Sequence, residues 1–237
     1  MNVLVIDVGG THIKMLATAR RTERKFKSGP QMTAAQMASG VKRRVAGWRY
    51  DAVAIGYPGS VLRGRPSAEP HNLGTGWVDF DYEAAFGRPV RIINDAAMQA
   101  LGAYRGGKML FLGLGTGLGS AMVVDRIVVP MELAHLPYRK KTFEDYVGVK
   151  ALKKRGKKKW RDCVADVIER LVAALLPEDV VIGGGNAEHL KQLPIRCRLT
   201  DNGAAFVGGF RLWEIAHDAS SLSRRAADGV AKRGTRA

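Results

Sequence analysis

The sequence predicts an α/β protein built as two lobes of similar design with a ligand cleft between them. Two observations carry this. A short apolar strand, a Gly/Thr turn and a second strand open the chain at residues 3–19, and the same plan recurs at residues 109–124. At 237 residues the chain can also bury a substantial core, and two lobes fit that length.

Residues 3–7 form an apolar run that ends in Asp7 and meets Gly9-Gly10-Thr11, the pattern of a buried strand running into a tight turn; a second strand resumes over 13–19. Residues 24–27 read as a third strand. Residues 33–48 carry Ala, Met and Val at helical spacing behind a Thr33 cap. A strand at 52–55 stops at Gly56-Tyr57-Pro58-Gly59, and after a Gly/Pro-rich loop come a short helix at 82–86, a strand at 90–93 and a helix at 96–104 that opens directly after Asp95. Gly106-Gly107 is the candidate hinge. In the second half, strands at 109–113 and 120–124 flank Gly115-Thr116-Gly117, helices are expected at 160–176 and 202–216, and a strand at 180–182. The expected division is a first lobe over 1–105, a second over 106–219 and a loose basic tail over 220–237.

Nearly half of the residues are apolar and a quarter are charged, as in globular proteins. No apolar run approaches the roughly 20 residues that span a bilayer, and Met1-Asn2 leads straight into a strand rather than a signal core, so a soluble cytoplasmic protein is expected. Cys163 and Cys197 have no metal-ligand spacing and read as free structural thiols in preference to a disulfide. The formal charge of +16 points to a polyanionic partner, to an acidic surface, or to nothing beyond solubility.

A glycine turn between strands exposes backbone N–H groups that an anion can approach without an intervening side chain. Asp7 beside such a turn can position hydrated Mg²⁺. Asp7-Val-Gly-Gly-Thr11 alone is also what an ordinary hairpin turn looks like, but Gly113-Leu-Gly-Thr-Gly117-Leu-Gly119 and Gly183-Gly184-Gly185 follow it in order. Asp95, at the end of an apolar strand, reads either as a helix cap or as a base within reach of a substrate hydroxyl.

Ile6-Asp-Val-Gly-Gly-Thr-His-Ile-Lys14, Leu114-Gly-Thr-Gly-Leu-Gly119 and Val181-Ile-Gly-Gly-Gly185 resemble the first phosphate, second phosphate and adenosine motifs of the actin/hexokinase superfamily. Their order and spacing resemble the sugar-kinase branch called ROK, from about Val3 to Phe210. The resemblance implies a two-lobed, actin-like (ribonuclease H-like) fold that phosphorylates glucose or a similar hexose. It implies a phosphate and nucleotide site at Asp7, Gly9, Gly10, Thr11, Lys14, Gly115, Thr116, Gly117, Gly183, Gly184 and Gly185, with Mg²⁺ held near Asp7 through water. Asp95 is then the base, Asn94 a sugar ligand, and Pro58, Gly59 and Asn72 belong to loops round the sugar. Glu132-Leu-Ala-His135 resembles the family's Glu-x-Gly-His segment, and Glu144 aligns with a second sugar-binding Glu. A homodimer is also implied.

Most ROK kinases carry a His and a Cys-rich zinc run between those two glutamates, whereas here only Leu-Pro-Tyr-Arg-Lys-Lys-Thr-Phe separates His135 from Glu144. No zinc is expected, and packing through Tyr138 and Phe143 must hold Glu144. In this the chain resembles the zinc-free members, the polyphosphate glucokinases, as do Gly115-Thr-Gly-Leu-Gly-Ser-Ala121 and Thr200-Asp-Asn-Gly-Ala-Ala205. The donor is then ATP, polyphosphate or both. Lys and Arg recur from Arg139 to Arg161, either as a polyphosphate track, whose affinity would fall with salt, or as a solvated helix face or mobile loop. Nucleic-acid binding is not expected, because the family's repressors place a helix-turn-helix ahead of the kinase fold and here the first strand begins at Val3. A non-catalytic sugar- or polyanion-binding protein is the rival class, and an ATP-only hexokinase of other sugar specificity the rival enzyme.

Overall fold

The computed structural model describes residues 1–194, 196–200 and 203–214. Two five-stranded sheets form its frame. The first contains β1 (Val3–Val8), β2 (His12–Ala17), β3 (Arg24–Lys27), β4 (Ala52–Tyr57) and β7 (Val90–Asn94), in the order β3-β2-β1-β4-β7. The second contains β8 (Lys108–Leu114), β9 (Leu118–Val124), β10 (Ile127–Met131), β13 (Asp179–Gly183) and β14 (Cys197–Leu199), in the order β10-β9-β8-β13-β14. In each, the central strand pairs antiparallel with the strand that follows it and parallel with a later one. The repeated plan visible in the sequence is therefore a repeated sheet. Two small hairpins, β5–β6 (Val61–Leu62 and Arg65–Pro66) and β11–β12 (Pro137–Tyr138 and Lys141–Thr142), complete the strands.

Period-two alternation distributes the apolar residues over three cores. On the outer face of the first sheet, Leu4, Ile6, Ile13, Met15, Val53 and Ile55 pack under α1 (Ala34–Arg44) and α2 (Tyr82–Phe86). On the outer face of the second, Leu110, Leu112, Leu118 and Ile182 pack under α4 (Glu144–Val147) and α5 (Val149–Leu175). The inner faces share one layer, in which Val3, Val5, Ala54, Phe111, Ala121 and Val181 enclose α3 (Asp95–Ala103) and a last helix, α6, at residues 204–214.

Local chemistry explains the ends of these elements. Thr33 caps α1 in a reciprocal box, its hydroxyl accepting from the Gln36 N–H at 3.2 Å while its own N–H donates to Gln36 Oε1 at 3.0 Å. Asp81 caps α2, and Gly87 ends it in the left-handed region at φ 61°. The basic stretch left open as a helix face or a loop is helical: α5 begins at Val149, ahead of the expected 160, and breaks only at Gly156 (φ 75°, ψ 161°). Ala151 and Leu152 bury one turn before that break and Trp160 resumes the buried stripe after it. The break shifts the apolar phase, which hid the first turns from a periodicity reading. Strands β5, β6, β10, β11, β12 and β14 also went unforeseen; most are two or three residues long and carry no alternation to read.

Helices α3 and α6 approach backbone to backbone. A methyl group added at Gly102 would lie 1.8 Å from the Ala204 carbonyl oxygen, and one at Gly208 would lie 1.8 Å from that of Met98. The Arg211 guanidinium donates to the carbonyls of Leu101, Gly102 and Tyr104, closing the open end of α3. Trp213 Nε1 donates to the Val53 carbonyl at 3.1 Å, and Arg91 stacks on the Trp213 ring at 4.1 Å, so α6 ends against the first sheet. The expected helix at 202–216 is described over 204–214; the tail at 220–237 and Asp201-Asn202 of the Thr200 to Ala205 segment lie outside the described residues. Cys163 and Cys197 are free thiols. No helix among the described residues is long and apolar enough to cross a membrane. Because no rotamer can relieve a clash between two backbones, Gly102→Val should lower folding stability by about 3 kcal/mol or more, read from denaturant unfolding.

Candidate active site

Three parallel strands deliver the central residues to one edge. Asp7 on β1 stands opposite Gly56 on β4, and Tyr57 at the end of β4 stands opposite Asn94 at the end of β7. Asp7, the Pro58-Gly59 loop and Asp95 are thus brought to the carboxyl ends of neighbouring strands, where open α/β sheets bind ligands. Gly56 makes this possible: a methyl group there would meet the Met98 side chain at 2.3 Å and the Asp95 Cα at 3.6 Å.

The cap of α3 is Asn94, not Asp95. Its Oδ1 accepts from the Ala97 N–H at 3.1 Å and its Nδ2 donates to the Gly59 carbonyl at 3.1 Å, so Asn94 ties the Pro58-Gly59 loop to the start of the helix. Asp95 is left as the first helical residue, with its carboxylate accepting from the Ala96 N–H at 2.8 Å. Burial raises this carboxyl most, Asp7 raises it further, the hydrogen bonds from backbone N–H groups lower it, and Glu132 adds a smaller upward push, leaving it at about 7. Asp7 is also raised, by burial first and by Glu23, against the opposing pull of Lys14, its cross-strand partner.

The first glycine turn joins β1 to β2. It closes by a Gly9 N–H to His12 carbonyl bond of 3.0 Å, and Ser28 grips it twice, through its hydroxyl on the Gly9 carbonyl (2.6 Å) and its N–H on the Thr11 carbonyl (3.0 Å). The N–H groups of Gly10 and Thr11 have no hydrogen-bond acceptor among the described residues. Asn72 lies over this turn, its Cβ 3.2 Å from where a Gly10 Cβ would be. Its loop is fixed by buried Leu73 and Trp77 and by the Glu69 carboxylate, which accepts from the N–H groups of Gly76 and Trp77.

The second turn joins β8 to β9 in the same manner, with Gly115 N–H on the Gly117 carbonyl at 3.1 Å and the N–H groups of Thr116 and Gly117 again unused among the described residues. The third glycine run lies directly beside it: Gly183 pairs with Gly113, a Gly184 Cβ would be 2.4 Å from the Leu114 carbonyl oxygen, and Asn186 Nδ2 donates to the Gly115 carbonyl at 2.7 Å. Glu144 reaches this turn, accepting from the Leu118 N–H at 3.2 Å and filling the space where a Gly117 side chain would be.

Tyr138 and Phe143 pack ring to ring at 5.3 Å, Tyr146 meets Tyr138 edge-on at 4.9 Å, and the Tyr138 hydroxyl donates to Asp166 on α5. This aromatic cluster holds the β11–β12 hairpin and the start of α4, and with it Glu144. Glu132 and His135 are exposed, 3.9 Å apart. Their segment hangs on Ser120, whose buried hydroxyl donates to the Met131 carbonyl at 2.8 Å and accepts from the Leu133 N–H at 3.2 Å, one residue on each side of Glu132.

Ser28, Asn186 and Ser120 escaped the sequence reading. Ser28 and Asn186 carry no local signal, because each acts on a turn distant in sequence. Ser120 does carry one, as a polar residue at a buried position of an apolar strand. The Asp7 carboxylate, near the end of β1 beside the first glycine turn, is the kind of oxygen ligand that a hard divalent cation takes directly or through water; no cluster of three or more His, Cys, Asp or Glu is found among the described residues.

The ROK family model matches residues 3–130. The polyphosphate glucokinase of Mycobacterium tuberculosis is 28% identical over 204 residues, covering 76% of each chain. Among solved structures, the inorganic polyphosphate/ATP-glucomannokinase of Arthrobacter sp. strain KM superposes with a TM-score of 0.76 at 26% identity, covering 92% of this chain and 99% of that one. A ROK family glucokinase of Streptomyces griseus, solved with glucose and AMPPNP, has a TM-score of 0.69 over 90% of this chain and 99% of its own; at 18% identity it speaks for the fold alone. With the three glycine turns, the repeated sheets and the shared helix layer in place, the chain belongs to the ROK family and has the two-lobed fold of its sugar kinases.

Proposed function

We propose that the protein is a Mg²⁺-dependent sugar kinase that phosphorylates the 6-hydroxyl of glucose or a similar hexose, with ATP, polyphosphate or both as donor. The observation that carries this reading is Asp95: a carboxyl raised to about 7, at the head of α3, in the lobe of the first phosphate turn and packed against the sheet that bears the second. A base serves best when its pKa lies near the working pH. Likeness to a polyphosphate glucokinase and a polyphosphate/ATP-glucomannokinase supports the substrate class. Cytoplasmic location and a homodimeric state complete the reading on family likeness alone.

In this mechanism the Asp95 carboxylate takes the proton of the sugar hydroxyl as its oxygen attacks the terminal phosphorus of the donor. A new O–P bond forms, the bond to the donor's bridging oxygen breaks, and ADP or the shortened polyphosphate leaves with that electron pair. Asn94 and the Pro58-Gly59 loop orient the sugar, with Asn72, Glu132, His135 and Glu144 as further ligands of its hydroxyls. The amides of Gly10, Thr11, Thr116 and Gly117 face the phosphate charge, and Gly183 to Gly185 accommodate a nucleotide. Mg²⁺, held near Asp7 through water, would neutralise phosphate oxygens and relieve the repulsion between Asp7 and Asp95.

Purified protein is expected to consume ATP or polyphosphate only when sugar is present; binding of sugar without donor turnover would assign it to the non-catalytic class. Asp95→Asn should reduce turnover by about a thousandfold. For the unmutated protein, kcat/KM should rise with pH and level off above about 7, as Asp95 loses its proton. A carboxyl raised on folding favours the folded state below its ordinary value of 3.8, and that contribution disappears as pH climbs through about 7. Asp95→Asn should therefore match wild-type stability near pH 4 and exceed it by about 1 kcal/mol or more at pH 8, measured by denaturant unfolding. Ser120→Ala should raise the KM for sugar about tenfold while changing kcat little, since it frees the segment that carries Glu132 without touching Asp95; an unchanged KM would dissociate Ser120 from the sugar site.

A further inference from the structure

Positive charge near the glycine turns is not confined to the basic run that is conspicuous in the sequence. Helix α5 packs against the outer face of the second sheet. Its first residue meets the second turn, Val149 N–H donating to the Thr116 carbonyl at 3.2 Å, and Arg161 donates to the His189 carbonyl at 2.6 Å, beyond the third glycine run. Its exposed Lys153, Lys154, Lys157 and Lys158 therefore follow a helix on the far side of the sheet from the shared inner layer.

The first sheet carries a second set. Asp7 on β1 pairs directly with Lys14 on β2, and Lys14 pairs directly with Lys25 on β3. Directly opposed residues in antiparallel strands project to the same face. Lys14 and Lys25 therefore share the face of Asp7, whose charge reaches Asp95. His12 and Lys27, paired two residues further along, are on that face too. Lys27 immediately precedes Ser28, which grips the Gly9 to Thr11 turn. Among the described residues Lys14, Lys25 and Lys27 have no ion-pair partner, and Lys25 and Lys27 are exposed. Glu23, just ahead of β3, adds one opposing charge, which is felt at Asp7.

We propose that the row His12, Lys14, Lys25 and Lys27 is a subsite for the part of a linear polyphosphate that lies beyond the phosphate being transferred. This rests on the sugar-kinase reading and assigns its extended donor to the first sheet rather than to α5. β3 stands two strand spacings, about 10 Å, from β1. Lys25 and Lys27 are thus placed for distal phosphates of a long chain and out of line with a phosphate seated at the turn. Binding through such a row releases counterions and weakens as salt rises.

The test compares long-chain polyphosphate with tripolyphosphate by titration calorimetry without sugar, so that no phosphoryl transfer accompanies binding. It uses wild type, Lys25→Glu/Lys27→Glu and, as a control of equal charge change, Lys157→Glu/Lys158→Glu. The wild type should bind the long chain at least tenfold more tightly than tripolyphosphate. The β3 variant should lose that advantage and part of the salt dependence, and the α5 variant should keep both. Retention of the advantage by the β3 variant, equal loss in both variants, or failure of wild type to bind long-chain polyphosphate would each overturn the subsite. Displacement of polyphosphate by single-stranded RNA at matching concentration would overturn it as well, assigning the row to nucleic acid. None of these outcomes touches the sugar-kinase reading, which stands or falls on sugar-dependent consumption of ATP or polyphosphate by the wild type.

Discussion

Helices α3 and α6 cross between the two sheets with no side chain at the closest points, and the geometry of the site depends on that crossing. The inner faces of both sheets pack on this pair, so its thickness sets how near the two sheets come. A spacer of even one methyl at Gly102 or Gly208 would part the helices. Asp95 is the first residue of one of them, so its distance from the glycine turns is fixed by the same contact. Gly119 on β9 plays the matching part on the second sheet, where an added methyl would meet Ala96 at 2.8 Å. Asp95 is therefore positioned by both sheets, although only one of them leads into it.

The electrostatics of the site follow from this packing. Asp7 and Asp95 are like charges brought toward each other by parallel strands with little water to screen them. Hydrogen bonds from the start of α3 offset part of that repulsion and leave the rest in place. Such a pair disfavours the empty, fully ionised site and favours any state in which a proton or a cation is shared. The backbone amides of the two turns supply the complementary field without adding a titratable group.

The alternating strands, the three glycine turns and the capped start of α1 were legible because each is written in neighbouring residues. Asp95 was ambiguous in sequence because a cap and a base use the same side chain at the same place; in the structure the cap is Asn94 and Asp95 is the first helical residue. The crossing of α3 and α6 could not be read, since Gly102 and Gly208 lie more than a hundred residues apart and each resembles an ordinary helical glycine. The lysine row is invisible for a related reason. Lys14 and Lys25 become neighbours only through strand register, whereas the exposed lysines of α5 are conspicuous in sequence.

The tryptophans fall into separate layers of this architecture. Trp77 lies in the outer core of the first sheet, Trp160 in that of the second, and Trp213 packs on the shared layer between them, while Trp48 lies near the surface beneath Arg20 and Arg24. The buried indoles of Trp77 and Trp160 and the half-buried one of Trp213 each donate to a backbone carbonyl of their own neighbourhood, at Met32, Val147 and Val53 respectively. The chain thus carries an intrinsic optical label in every core. Single-tryptophan versions would report separately on the loosening of either lobe and of the helical layer that joins them.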